Sequence, residues 1–386
     1  MRRFKHILAP ILFSVAAIVI HAAPDADSSQ DQTWQWNLPK GFPKPYVPAD
    51  NPMTTAKVEL GRFLFYDTRL SVNGKSSCAT CHKQELAFTD GRPVGVGATG
   101  QLHSRGAMSL VNIAYSGALT WSNPKMTRLE EQARVPMFGE HPVELGLRDD
   151  ESFLPVLRAD ARYQQLFARA FPSQNEAGRL TVDNATRAIA SFERSIISGR
   201  SPYDRYHYDR QDDAVSEAAK RGEVLFFNQH TGCFRCHGGF NFSDATVTES
   251  TAATAEHQVP FHNTGLYNLA GPLSYPEPNP GIYEFTRNPT DVGKFKTPTL
   301  RNIALTAPYM HDGSIATLEG VLDHYAAGGR TIASGSHAGV GHDNPNKDER
   351  VRGFTMSPQE REDLIAFLRT LTDDALLHDP RFANPF

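Results

Sequence analysis

Cysteine and tryptophan are scarce in this sequence of 386 residues, which contains four of the first and three of the second. A basic excess is also missing, because 39 lysine and arginine residues face 43 aspartate and glutamate residues. The chain therefore lacks the positive footprint of a nucleic-acid-binding protein. No apolar run reaches the roughly 20 residues of a membrane-spanning helix, so no stable membrane anchor is expected. The length suffices for two ordinary domains.

All four cysteines belong to one repeated pattern. They lie in two Cys-x-x-Cys-His motifs, at Cys78, Cys81 and His82 and at Cys233, Cys236 and His237. This motif attaches c-type haem, whose vinyl groups take up the two thiols while the histidine binds the iron as its proximal ligand. Two Cys-x-x-Cys pairs could also hold zinc, but zinc does not need a histidine directly after each pair. The sequence therefore predicts two covalently attached c-type haems, with no cysteine left over.

The N-terminus has the pattern of a secretory signal. Arg2, Arg3 and Lys5 precede an apolar stretch over residues 7–20, which ends near Ala23. We interpret residues 1–23 as a cleaved signal peptide that directs the protein to the periplasm. Residues 24–44 are rich in proline and are expected to form an extended arm on the surface.

Several landmarks occur twice, in the same order. Residues 61–66 match 222–227, residues 109–114 match 299–304, and the pair Leu129-Glu130 matches Leu318-Glu319. Each half closes on an apolar stripe of helical spacing, and Ser357 begins the second stripe with a capping box. Such repetition indicates an internal duplication.

The repeat predicts an all-α fold of two cytochrome c-like helical haem domains with long loops. The N-terminal domain is placed at 45–205 and the C-terminal domain at 206–386. The surplus of the second half, between residues 240 and 297, contains several prolines and is expected to be a long loop.

The repeat also indicates what occupies the sixth position of each iron. Pro136 and Tyr325 follow the matched glutamates at the same distance. Proline cannot bind iron, whereas a tyrosine phenolate is a known haem ligand. This predicts an open N-terminal haem and a six-coordinate C-terminal haem. From the residues alone, His324, Met310 and His311 remain competing ligands.

The motifs resemble those of the bacterial di-haem cytochrome c peroxidases and their relatives, the MauG-type enzymes. The resemblance spans about residues 50–375 and rests on the two haem motifs and on four further stretches, at 105–112, 129–133, 141–146 and 298–313.

The resemblance implies roles for several residues. Tyr325 matches the distal ligand of the C-terminal haem, which is methionine in the peroxidases and tyrosine in the MauG type. Glu144 and Gln132 match pocket residues of the open haem, where a carboxylate can move the peroxide protons. Trp121 matches an electron relay between the haems. Ala98 stands where peroxidases often carry a histidine ligand, and His103 is interpreted as a surface or propionate-side residue.

The resemblance also includes a calcium site between the domains, which is in doubt here. Family members often have an asparagine ligand where this chain has Gly106, although the carbonyls of Thr306 and Pro308 match calcium ligands. Residues 34–39, 50–54 and 105–109 further resemble the MauG-type subgroup encoded beside copper-handling proteins, as in methanobactin operons. Members of that subgroup are implicated in oxidising a partner tryptophan to kynurenine.

Three functions are compatible with these features. The first is a periplasmic MauG-type oxidase, in which hydrogen peroxide generates a high-valent di-haem state that oxidises a residue, expected to be tryptophan, of a secreted partner protein at long range. A copper-binding protein is one candidate for that partner. The alternative is a di-haem cytochrome c peroxidase, which reduces hydrogen peroxide with electrons from a small cytochrome or cupredoxin. A plain electron carrier fits least well, since it needs neither an open iron nor Glu144. Phenolate ligation favours the first function.

Overall fold

The computed structural model describes residues 33–148, 152–252, 259–271, 273 and 275–386. The expected signal peptide and the first part of the expected arm lie outside these residues. The fold is mostly helical, as the sequence predicts. Within the described ranges, no helix is both long enough and apolar enough to cross a membrane.

The α-helices of the described residues follow one another with short 3-10 turns between them. In chain order they are α1 (Thr55–Tyr66), α2 (Cys78–Cys81), α3 (Leu129–Gln132), α4 (Arg134–Phe138), α5 (Leu154–Arg158), α6 (Ala161–Ala170), α7 (Glu176–Arg179), α8 (Val182–Ser195), α9 (Pro202–His207), α10 (Glu217–Phe226), α11 (Glu249–Ala252), α12 (Tyr283–Thr286), α13 (Leu318–Ala326), α14 (Pro358–Arg369) and α15 (Asp374–Leu377).

Strands are short and local. β1 (Phe261–His262) pairs antiparallel with β2 (Phe295–Lys296), and β3 (Thr331–Ile332) pairs antiparallel with β4 (Gly339–Val340). The first pair closes the long loop that the sequence places in the C-terminal half. No larger sheet forms in the described part of the chain.

Each haem motif is followed, at the end of its half, by a helix that packs on the helix preceding the motif. Gly61 of α1 lies so close to α8 that an added Cβ would be 1.9 Å from the carbonyl oxygen of Ala188. Gly222 of α10 lies in the same way against α14, with an added Cβ 1.9 Å from the carbonyl oxygen of Asp363. Only glycine allows two backbones to approach so closely. The two crossings are therefore equivalent in geometry.

The two closing helices begin and pack as their sequences predict. Thr181 caps α8, whose Ala185, Ile189 and Phe192 are buried. Ser357 caps α14 in a capping box with Glu360. The apolar face of α14 belongs to one buried cluster of the C-terminal half, whereas that of α8 is divided between a cluster that contains Ala185 and Ile189 and another that contains Phe192.

The halves are joined by a buried polar junction. Asn112 and Asn302, which match in the repeat, both have left-handed backbones, with φ of 56° and 61°. The Asn112 amide donates to the carbonyl of Ser198 (3.0 Å), and the Asn302 amide donates to the Ser198 hydroxyl (3.0 Å). Asp373 accepts from that hydroxyl and from the amide of Gly199. One short segment therefore satisfies both asparagines.

Chain segments also cross between the halves. Asp204 of α9 forms a buried pair with Arg301 of the C-terminal half, at 2.9 and 3.0 Å. The C-terminal tail returns to the N-terminal half, where Tyr66 donates to the carbonyl of Phe382 (2.7 Å). These contacts hold the two haem motifs in a fixed relation.

Candidate haem sites

The proximal histidine of the N-terminal motif is oriented by a backbone carbonyl. His82 follows α2, and its Nδ1 atom lies 2.9 Å from the carbonyl oxygen of Phe88. Phe88 has a left-handed backbone, with φ of 60°. A proton on Nδ1 leaves Nε2 as the nitrogen that can bind iron, a common arrangement of metal-bound histidine. Burial lowers the pKa of His82, so the ring is in the neutral form that iron binding requires.

The C-terminal motif repeats this arrangement. His237 Nδ1 lies 3.1 Å from the carbonyl oxygen of Phe242, whose φ is 50°. Burial likewise lowers the pKa of His237. None of the four cysteines forms a disulfide, and burial raises the pKa of Cys81 to about 11 and of Cys236 to about 12. Free thiols beside an oriented imidazole fit covalent haem at both motifs.

A cavity of about 710 Å³ adjoins the N-terminal motif. It brings together the residues predicted for the open haem: Cys78, Cys81, His82, Ala98, Gln132, Pro136 and Glu144 all line it. The predicted acid–base residues and the predicted non-ligating residues thus share one cavity.

His103, interpreted from the sequence as a surface or propionate-side residue, also lines this cavity. Its Nε2 atom is buried and lies 3.2 Å from Glu144 Oε1. The loop that carries it is fixed against the Glu144 segment, since the Ala98 amide donates to the Glu144 carbonyl (2.6 Å). Gly97 has no room for a side chain, because a Cβ would lie 1.8 Å from the carbonyl oxygen of Val143. Sequence register alone could not show this contact, since it joins two loops.

Glu193 is a cavity residue that the sequence analysis missed. It lies on α8 one turn after Ile189, and its Oε2 atom is buried with no hydrogen-bond partner in the described structure. Burial raises the pKa of Glu193 to about 8, so its carboxyl is largely protonated at neutral pH. The sequence feature that could have identified it is a glutamate beside the apolar stripe of the helix that closes the N-terminal half.

Tyr325 lies on α13 in the C-terminal half and is partly buried. Burial raises the pKa of its phenol, and the Cys236 and Cys233 thiols act in the same direction, which places the ring close to the second haem motif. The phenol forms no hydrogen bond to the described residues, as suits a group that would bind iron. This placement supports the predicted ligand.

The competing ligands have different surroundings. His311 is stacked on Phe295 with ring centroids 3.8 Å apart, and Met310 lines a different cavity, between the halves. His324 is the nearest rival, because its ring is 5.0 Å from that of Tyr325 and both of its nitrogens are buried without a partner in the described structure.

The cavity between the halves measures about 870 Å³ and is lined by Trp121, Gly106, Thr306 and Pro308. The Trp121 indole donates to the carbonyl of Gly106 (2.9 Å), and its ring packs against the buried cluster of the C-terminal half, so it lies between segments of both halves. A Cβ on Gly106 would lie 3.0 Å from the carbonyl oxygen of Pro93. An asparagine would be crowded here, and the side-chain ligand of the expected calcium site is missing.

A buried polar cluster borders the second motif. His262 contacts Asp244 (2.8 Å) and Asp348 (2.7 Å) through its two ring nitrogens. Together with Cys236, the atoms of His262 and Asp244 lie close enough to suggest a metal site. The Cys236 thiol is the predicted attachment point of a haem and both ring nitrogens already have carboxylate partners, so we interpret the cluster as structural.

The chain is similar to several known proteins over most of its length. The family model described as di-haem cytochrome c peroxidase matches residues 55–213. The methylamine utilization protein MauG of Methylorubrum extorquens is 34% identical over 91% of this chain and 88% of its own length. The cytochrome-c peroxidase IdrP1 of Pseudomonas sp. strain SCT is 35% identical over 86% and 85%. A crystal structure of a MauG-like protein associated with microbial copper homeostasis matches with a TM-score of 0.87 and 47% identity, over 91% of this chain and 99% of that chain.

Proposed function

We propose, from the premise that the chain belongs to the di-haem cytochrome c peroxidase and MauG family, that it is a MauG-type oxidase. Membership makes it a haem oxidoreductase that acts on peroxide and carries two covalent c-type haems. Family membership does not specify which molecule the oxidising equivalents act on. They are used to oxidise a residue, which we expect to be tryptophan, of a secreted partner protein at long range.

Peroxide reduction needs a proton to move between its two oxygens. When bound, the haems supply the iron at which peroxide is reduced and the sites from which electrons are withdrawn. With haem bound, Glu144 would take a proton from one peroxide oxygen and deliver it to the other, which leaves as water. Gln132 orients the peroxide by hydrogen bonding. Each peroxide takes up two protons and two electrons and ends as two water molecules, and the electrons come from the partner residue through Trp121.

Tyr325, near the second haem motif, is the observation that favours a MauG-type oxidase over a cytochrome c peroxidase. A phenolate ligand stabilises ferric and more oxidised iron and lowers the potential of the C-terminal haem. Such a haem is a poor acceptor from a small cytochrome and a good store of oxidising equivalents. The 47% identity to a MauG-like protein associated with copper homeostasis supports a copper-binding partner.

Cytochrome c peroxidase activity is the second candidate. It is favoured by the 35% identity to a protein named cytochrome-c peroxidase. It would require the C-terminal haem to accept electrons from a small cytochrome or cupredoxin, which a high-potential haem does better.

The test is Tyr325→Met. We expect this variant to raise the midpoint potential of the C-terminal haem and to increase peroxide-dependent oxidation of reduced horse cytochrome c at least tenfold. Wild-type protein should oxidise that cytochrome slowly and keep its oxidising equivalents when no donor is present. Tyr309→Phe, which alters a buried tyrosine of the same half, is the control. If wild type turns over cytochrome c rapidly and the variant does not exceed it, the peroxidase function is correct.

Three further parts of the proposal concern the whole chain. The equivalent glycine crossings and the two matched asparagines support descent of the halves, 45–205 and 206–386, from one duplicated haem domain. In the described part of the proposed N-terminal arm (24–44), Trp34 and Trp36 meet edge to face. Residues 1–23 direct export to the periplasm.

A further inference from the structure

Lys296 is a buried cation in the cavity between the halves. It ends β2, is only 5% exposed, and lines the cavity that also contains Trp121. Its backbone amide donates to the carbonyl of Trp121 (2.9 Å). Its Nζ atom makes no hydrogen bond or ion pair with any described residue. Taking an ammonium group out of water without a partner is costly, so this position calls for a bound anion.

Protein carboxylates do not meet this need. The charge that acts on Lys296 is Asp244, whose Oδ2 is already 2.8 Å from His262 Nε2. The other cation deep in the cavity, Arg301, is satisfied by Asp204 and by the carbonyl of Phe240. Of these two buried cations, Lys296 is therefore the one that has no anionic partner and can bind an added anion.

The cavity adjoins the C-terminal haem motif. Phe242, whose carbonyl orients His237, is followed by Ser243, which lines the cavity and donates to the carbonyl of Thr297 (2.8 Å). The strand of Lys296 is thus fastened to the segment that positions the proximal ligand. Haem has two carboxylates on one edge. Haem bound at the C-terminal motif would therefore supply anions to this cavity.

We propose that the Lys296 ammonium binds a carboxylate of the C-terminal haem inside this cavity. The contact fixes the haem against the strand that also holds Trp121. It places one positive charge beside the haem and so raises its reduction potential, because a positive charge stabilises the reduced form. The inference applies equally to an oxidase and to a peroxidase.

The test compares three variants of the mature di-haem protein by spectroelectrochemistry. Lys296→Met removes the charge at similar length, and Lys296→Arg retains it. Lys294→Met, which removes a half-buried neighbouring lysine paired with Asp291 (3.1 Å), is the matched control. We expect Lys296→Met to lower the potential of the C-terminal haem by at least a tenfold change in its reduction equilibrium, about 59 mV for one electron. Lys296→Arg and Lys294→Met should change that equilibrium less than twofold.

The electrochemical results below would overturn the proposal. One is an unchanged C-terminal haem potential in Lys296→Met, or a shift confined to the N-terminal haem. The other is a shift of the same size when wild type is treated with EGTA, since a metal ion would then hold the carboxylate. Should Lys296→Met fail to mature, resonance Raman of wild type in H₂O and D₂O decides: propionate modes sensitive to exchange support the contact, and insensitive modes refute it.

Discussion

At the scale of single residues, the chemistry depends on Glu144 and on what surrounds it. The carboxylate shares a cavity with His82, the proposed iron ligand, and is close to His103. Glu144→Gln should keep both haems and slow the reaction with peroxide by roughly two orders of magnitude or more, the usual effect of losing a proton-transfer group. Stopped-flow absorbance of the haem bands measures this rate. Glu140→Gln, at an exposed position of the same loop, should leave it unchanged. A Glu144→Gln enzyme with the wild-type rate would remove this residue from the mechanism.

His103 is the residue whose position most affects the expected spin state. Ala98 and Pro136 cannot bind iron, so the N-terminal haem should be high-spin as isolated and react with peroxide without prior reduction. His103→Gln should leave the spin state unchanged, because we expect the imidazole to contact Glu144 and not the iron. Electron paramagnetic resonance of both proteins checks this. A low-spin wild type that becomes high-spin in the variant would identify His103 as a distal ligand.

At the scale of the element, α8 carries a buried acid whose proton is linked to folding. In the unfolded chain Glu193 titrates near the ordinary glutamate pKa of 4.5, whereas burial raises its pKa to about 8 in the folded protein. Between these values the folded protein holds a proton that the unfolded chain has lost. The free energy of unfolding should therefore fall as pH rises from about 5 to 8, and level off above.

Glu193→Gln should remove this dependence, with each unit of pKa difference worth about 1.4 kcal/mol. Urea unfolding of the mature protein at several pH values measures the slope. Glu176→Gln, an exposed change at the start of α7, should retain the wild-type slope. If the slope is the same with and without Glu193, the carboxyl is ionised in the folded haem protein and has found a partner there.

At the scale of the whole molecule, the proposed function requires the two halves to exchange electrons through the cavity between them. Trp121→Phe removes the indole and its hydrogen bond to Gly106. We expect the initial reaction of peroxide with the N-terminal haem to be unchanged and the later spectral change of the C-terminal haem to be at least tenfold slower. Rapid-scan absorbance separates the two phases. Trp36→Phe, in the N-terminal arm, is the control. Equal slowing by both variants would indicate a general loss of structure and not a relay.

Local pattern was sufficient for much of this protein. The haem motifs require two thiols and an imidazole within five residues, so their chemistry does not depend on distant contacts. The closing helices were predictable because a 3.6-residue period and a capping box are local properties. Pro136 and Tyr325 could be compared because the two halves repeat one order of landmarks.

The remaining features required the fold, because they join residues far apart in the chain. His103 meets Glu144 only when two loops pack, and Glu193 faces the haem cavity only because α8 crosses α1 at Gly61. Nothing in the sequence around Lys296 distinguishes it from a surface lysine. Strand pairing nevertheless buries it beside Trp121. The sequence by itself determined the cofactor, since covalent attachment is written in adjacent residues. Tertiary structure alone decided which charges face that cofactor, because burial and partners depend on how the chain folds back on itself.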